Sequence, residues 1–233
     1  MAREYNKNMN LKNKKTAIIF DLDGVLVDSV GLNWTAYNQV LNSDYGVNVA
    51  KKDLYKYVGL TLTTQVELLS KDFKINIDKE DFANKTDRIK NELFKNIEPM
   101  PGVVNLLKGL KNNNFKIAIG TSSSMEQAKL KLANAKILEF FDIIITENDV
   151  DKPKPSPDVY LKCAKSLNSL PQNCVVFEDA PNGVKAAKKA GMGCIAIKTV
   201  YVDSSKLKDA DLIVDSISEI KLETLANISI NEN

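Results

Sequence analysis

The chain has no histidine among its 233 residues, and that single absence excludes more chemistry than any other feature of its composition. Ser-His-Asp and Cys-His mechanisms, phosphohistidine intermediates and histidine-ligated zinc or iron are unavailable. Catalysis must run on carboxylates, lysine, hydroxyls and backbone amides. A bound metal would then be a hard cation such as Mg²⁺. Cysteine is scarce and odd in number: Cys163, Cys174 and Cys194 sit in helix-like or strand-like segments. They read as small buried residues in a reducing compartment. No apolar run approaches the length of a bilayer span. The first run, Ala17 to Phe20, is too short for a secretory leader and stops at Asp21. A cytoplasmic monomer with no membrane partner is expected. A strong charge bias is also missing, since the net charge is +2, which does not suit a nucleic-acid binder. The basic residues of the N-terminal stretch are interleaved with Asn and lack periodicity, so residues 1–15 read as a disordered tail.

What is present is an alternation. Short apolar runs occur at Thr16–Phe20, Phe115–Ile119, Phe141–Ile145, Val175–Phe177, Cys194–Ile197 and Leu212–Val214. They read as strands buried on both faces. Helix-like segments lie between most of them, with caps at Pro101-Gly102, Ser123 or Ser124, Pro157-Asp158 and Asn182-Gly183, and a terminating Gly191. The predicted class is α/β, a Rossmann-like parallel sheet with right-handed crossovers. Residues 30–99 break the pattern. Leu32, Tyr37, Val40 and Leu41, then Val66, Leu68 and Leu69, then Ile89, Leu93 and Phe94 follow a helical period. This stretch reads as a helical cap inserted into a core made of residues 16–29 and 100–233. The chain re-enters that core through Glu98-Pro99-Met100-Pro101-Gly102.

Four tracts carry the chemistry, three of them at strand ends, where parallel sheets bind ligands. Asp21 and Asp23, followed by Gly24, can converge on one small volume. An ionised Asp21 can attack phosphorus and form an acyl phosphate, while a protonated Asp23 serves the leaving alkoxide. Like charges at close range push one pKa upward, which suits that division. Thr121 and Ser122 offer hydroxyls and free amides at a helix start, a cradle for phosphate that is also compatible with a plain cap. Lys154, held among Pro153, Pro155 and Pro157, can keep Asp21 ionised; Lys152 has a similar setting. Glu178 and Asp179 add two carboxylates that are costly near Asp21 and Asp23 unless a cation compensates. Mg²⁺ bridging Asp21, a phosphate oxygen and Asp179 would do so. The bland reading makes them an acidic helix cap.

The tracts DLDGVLVDS (Asp21 to Ser29), GTSSS (Gly120 to Ser124), KPSPDVY (Lys154 to Tyr160) and FEDAPNGVKAAKKAGM (Phe177 to Met192) resemble the four motifs of the haloacid dehalogenase superfamily. The likeness is to its helical-cap phosphatase and β-phosphoglucomutase-like branch, including pseudouridine-5′-phosphatase-like proteins. It implies Asp21 as nucleophile, Asp23 as acid/base and Lys154 with Thr121 on the phosphoryl group. It also implies Mg²⁺ on Asp21, Asp179, Glu178 and the Asp23 carbonyl. Ser122, Asn182 and two cap positions, Asn33 and Lys85, are implied substrate contacts. True dehalogenases lack the second aspartate. The mutases place a histidine where Asn33 stands, an arginine at Leu62, three residues past Gly59, and a lysine near Lys85. The expected activity is hydrolysis of a small phosphomonoester, a sugar phosphate or nucleoside monophosphate. A phosphosugar mutase and a non-catalytic phosphometabolite-binding protein are the alternatives.

Overall fold

A computed structural model describes residues 17–50, 53, 55–57, 60–226 and 228. The basic tail, Thr16 and Gly59 lie outside the described residues. Six strands, β1 (Ala17–Phe20), β2 (Lys116–Gly120), β3 (Ile143–Ile145), β4 (Cys174–Glu178), β5 (Gly193–Ile197) and β6 (Leu212–Val214), correspond to the six apolar runs. All pair in parallel in the order β3-β2-β1-β4-β5-β6. The chain winds outward from β1 to β3 and then crosses to β4 on the other side. The direction therefore switches at β1, and a crevice opens at the carboxyl ends of β1, β2 and β4.

β1 shows why these runs become strands. Ile18 and Phe20 join the apolar layer on one face, and Ala17 and Ile19 join the layer on the other. All four are fully buried. Phe20 stacks on Phe177 at 4.8 Å; burying a side chain of this size contributes about 1.5–3 kcal/mol. The helices that cover the faces are α4 (Val103–Asn112) and α5 (Met125–Asn134) on the first, α6 (Asp158–Ser166) and α7 (Pro181–Lys189) on the second. A short α8 (Leu222–Ala226) follows β6. β3 begins two residues later than its apolar run. Phe141 closes a 3₁₀ turn by donating its N–H to the Leu138 carbonyl, and Asp142 accepts the Ile117 N–H at 2.8 Å through its side chain.

Residues 30–96 contain helices and single 3₁₀ turns and no strand among the described residues. The helices are α1 (Val30–Tyr45), α2 (Leu62–Phe73) and α3 (Lys79–Leu93), with Thr61 and Asp78 capping the second and third. They share a separate cluster built on Trp34, Tyr37, Val40, Leu41, Val66, Leu69 and Phe82. The expected third stripe is shifted. α3 buries Phe82 and Thr86, Ile89 and Leu93 are half-buried, and Phe94 packs on the sheet side instead. The outgoing and returning chains run side by side. Val27 pairs with Pro99, and the Met100 N–H donates to the Leu26 carbonyl at 2.8 Å. Among the described residues, no helix is long and apolar enough to cross a membrane.

Candidate active site

Three strand ends bring the motifs together. The Asp21 amide donates to the Phe177 carbonyl at 2.9 Å, so β1 and β4 deliver Asp21 beside Glu178 and Asp179. The Thr121 amide donates to the Ile145 carbonyl at 3.0 Å, which fixes the end of β2. Gly24 adopts φ +80°, and a methyl group there would lie 2.7 Å from the Asp179 Cγ. The turn therefore needs glycine both for its backbone and for the approach of Asp179.

Lys154 is the hub. Its ammonium donates to Asp21 Oδ1 at 2.7 Å and to Glu178 Oε1 at 2.8 Å, and it lies 4.8 Å from the centre of the Tyr160 ring. The Lys154, Asp21 and Glu178 side chains are only 9%, 10% and 1% exposed. Tyr160 also donates to Glu178 Oε1 at 2.7 Å. The other Glu178 oxygen accepts the Asp179 and Ala180 amides at 2.8 and 2.9 Å. Both Glu178 oxygens are thus engaged, and the carboxylate orients Lys154. Oxygens of Asp21, Glu178 and Asp179 all come within 4.8 Å of one another. Burial raises the Asp21 pKa to about 7, with Lys154 pulling it down and Glu178 and Asp23 pushing it up. Burial, with Glu178 and Asp21, also holds Asp179 well above the usual carboxylate range. The single ammonium of Lys154 does not offset three buried carboxylates. An all-oxygen cluster with this charge excess fits a hard divalent cation held by Asp21 and Asp179.

Asp23 departs from expectation. Burial works to raise its pKa, but the Lys131 ammonium, with Ser29 and Ser123 as donors, outweighs that effect and holds it below the ordinary value. Ser123 donates to Asp23 Oδ2 at 2.7 Å; Ser29 and Lys131 converge on Oδ1. The two aspartates therefore divide in the opposite sense to the one expected: Asp21 is pushed up and Asp23 down. The cause is a buried cation, Lys131, whose side chain is 3% exposed. Its signal in the sequence was a lysine in an apolar stripe, since α5 buries Ala128, Lys131 and Leu132. Ser124, rather than Ser123, caps α5, by accepting the Gln127 amide at 3.3 Å. Thr121 is buried and accepts the Ser123 amide at 3.0 Å.

A cavity of about 310 Å³ opens over this cluster. Thr121, Ser122, Asn182 and Asn33 line it, as does Leu62. Lys85, expected as a substrate contact, does not line it. It is 44% exposed and pairs with Asp44 and Asp81 at 2.6 and 2.7 Å. The lysine that α3 turns inward is Lys90, five residues on and about 140° around the helix. It lines the cavity, pairs with Asp87 at 3.0 Å and lies 4.8 Å from the Tyr37 ring centre. The three cysteines are buried, as expected.

These features recur in known proteins. The phosphorylated carbohydrates phosphatase of Thermotoga maritima is 30% identical over 215 residues, covering 91% of this chain and 97% of its own. The β-phosphoglucomutase of Bacillus subtilis is 30% identical over 217 residues, covering 90% and 93%. A crystal structure of β-phosphoglucomutase from Clostridium difficile aligns with a TM-score of 0.78 at 29% identity, covering 90% of this chain and 95% of that one. The family model described as haloacid dehalogenase-like hydrolase matches residues 18–197, from β1 to the end of β5. The chain belongs to the haloacid dehalogenase-like hydrolase family.

Proposed function

We propose that the protein is a Mg²⁺-dependent phosphatase that hydrolyses a small phosphomonoester, a sugar phosphate or nucleoside monophosphate, through an aspartyl-phosphate on Asp21. The observation that carries this reading is the Lys154 ammonium shared between Asp21 and Glu178 at the adjoining ends of β1 and β4, with Asp179 beside them and a cavity above. Asp21 supplies the attacking oxygen. As its bond to phosphorus forms, the bond from phosphorus to the substrate alcohol breaks, and the alcohol leaves with a proton. Lys154 and the Thr121 and Ser122 groups offset charge on the transferring oxygens. Bound Mg²⁺, held by Asp21, Asp179 and the Asp23 carbonyl, would supply the remaining positive charge.

Water then attacks the aspartyl-phosphate, which returns Asp21 and releases phosphate. Asp23, ionised beside Lys131, is ready to take that water's proton. To serve as acid in the first step, it must arrive protonated and leave Lys131. Residues 30–99 act as the cap and residues 16–29 and 100–233 as the catalytic core. The likeness to the Thermotoga phosphorylated carbohydrates phosphatase supports a phosphorylated carbohydrate as substrate. The test is a panel of phosphorylated metabolites assayed for released phosphate, with Asp21→Asn as control. A folded Asp21→Asn protein at the parent rate would remove Asp21 as nucleophile.

The mutase alternative draws on the likeness to β-phosphoglucomutases. Against it, Asn33 and Leu62 line the cavity where that reaction would want a histidine and an arginine. Arginine is the better grip for a second phosphate. The protein, given β-glucose 1-phosphate and a trace of the 1,6-bisphosphate, is expected to yield little glucose 6-phosphate. Rapid isomerisation without phosphate release would make it a mutase.

A further inference from the structure

β3 ends beside the phosphoryl cradle. Gly120 pairs with Ile145, whose carbonyl accepts the Thr121 amide at 3.0 Å, so the residues after β3 stand against the Thr121-Ser122 loop. Asp149 fixes the turn there by accepting the Thr146 amide and hydroxyl at 2.8 and 2.7 Å. Glu147, between them, lines the cavity together with Ser122 and Lys154. Among the described residues, no ion pair or hydrogen bond engages its carboxylate. Glu147 is half-buried, and neither carboxylate oxygen is sealed within the protein, so both remain open to a ligand. Burial raises its pKa above the ordinary value, and no neighbouring cation counters that effect.

The other charges of the cavity wall have counterparts. Lys154 serves Asp21 and Glu178, Lys131 serves Asp23, and Lys90 serves Asp87. The divalent cation that suits Asp21 would serve Asp179 as well. Glu147 alone is left over, and a substrate phosphate adds further negative charge beside it. A carboxylate that loses water without gaining a counter-charge resists being covered. A ligand that is anionic on that side is therefore disfavoured. A hydroxyl donates a hydrogen bond but brings no charge. An ammonium does both, in a charge-assisted hydrogen bond.

We propose that Glu147 is a specificity residue that pairs with an ammonium group on the departing alcohol, so that the preferred substrate is the monophosphate of an amine-bearing alcohol, either an amino sugar or a short amino alcohol. This rests on the phosphatase reading and narrows it. Glu147 takes no part in bond making or breaking; it selects what Asp21 attacks.

Two matched pairs of compounds isolate the amine: glucosamine 6-phosphate against glucose 6-phosphate, and 2-aminoethyl phosphate against 2-hydroxyethyl phosphate. kcat/KM is read from released phosphate at neutral pH, where the amine is charged. The aminated member of at least one pair is expected to be preferred about tenfold. Which pair shows the preference tells an amino sugar from a short amino alcohol. The preference should shrink as ionic strength rises, because a half-exposed ion pair is screened. Glu147→Gln, equal in size but uncharged, should bring the ratio close to one, and Glu147→Lys should invert it. The side chain has no partner in the fold, so the glutamine variant should melt with the parent. In the Asp21→Asn protein, calorimetry gives the same ratio as dissociation constants, without turnover. The proposal is overturned if neither aminated compound reacts or binds better than its partner. A preference that persists in folded Glu147→Gln overturns it equally. Absence of phosphate release from every monoester, with the binding preference intact, would instead count against the phosphatase reading.

Discussion

Gly183 is the position where one added methyl group should do most damage. It is the third residue of α7, and a Cβ there would lie 2.5 Å from Glu178 Oε2 and closer still to Oε1. Carbon and oxygen need more than about 3 Å, so the carboxylate must retreat by roughly 1 Å or more. It cannot do so freely. Lys154, Tyr160 and the amides of Asp179 and Ala180 hold it at 2.7–2.9 Å. A shift of that size takes at least two of these contacts beyond hydrogen-bonding range. Hydrogen bonds to a charged group contribute about 1.5–3 kcal/mol each, so two lost bonds cost about 3–6 kcal/mol. Alanine returns about 1 kcal/mol of helix propensity. Gly183→Ala is therefore expected to lose about 2–5 kcal/mol, read as a Tm lower by about 5–15 °C. Because Lys154 loses its anchor, kcat should fall about 100-fold in the phosphate-release assay. Shortening the acid in Gly183→Ala/Glu178→Asp withdraws the carboxylate and should recover part of the stability, a non-additive response diagnostic of direct contact. A Gly183→Ala protein that melts within about 2 °C of the parent and turns over within threefold of its rate would refute the packing argument.

Three further outcomes follow from the same geometry. Lys131→Met leaves the Asp23 carboxylate facing burial without its cation, and breaking such a pair should cost about 3–5 kcal/mol in a denaturant melt; a melt within 1 kcal/mol of the parent would mean the pair is solvated. Tyr160→Phe removes one donor from Glu178 and should cost about 1.5–3 kcal/mol, with Lys154 still in place; a neutral effect would place that hydroxyl in water. The third concerns pH. The folded pKa of Asp21 is raised to about 7 from an unfolded value of 3.8, and that of Asp179 is raised as well. The folded state thus binds more protons over this interval, and their contribution to stability is present at acid pH and lost as pH rises through about 7. Metal-free protein should melt lower at pH 8 than at pH 5.5, and added Mg²⁺ should raise Tm more at pH 8. The opposite slope would show that Lys154 alone satisfies the cluster.

Much of this was legible in the sequence because its signals are local. A β-branched run ending at an acidic residue places Asp21 or Glu178 at a strand end whatever the rest of the chain does, and both fall there. What could not be read were contacts made across the fold. Lys131 meets Asp23 across 108 positions, so nothing near Asp23 announces that its charge will be held. Lys85 and Lys90 lie on one helix with no local feature to say which faces inward; that is decided by the seating of Phe82 against the other helices, where its ring meets Tyr37 edge-on at 5.1 Å. Nor does any residue near Glu178 announce that Tyr160, Lys154 and two amides converge on it, so its part in holding Lys154 was not legible.

The paired chains at Leu26–Val27 and Pro99–Met100 give the protein a single doorway between its two parts. Everything from α1 to α3 is an excursion that leaves and re-enters the fold at that one paired point beyond β1, so the path of the strands does not run through it. Seen this way, the phosphoryl chemistry is a fixed socket and the helices above it an exchangeable fitting. Grafting a different helical excursion between Val27 and Pro99 is a route to new substrate preferences that leaves Asp21, Lys154 and Asp179 where they are.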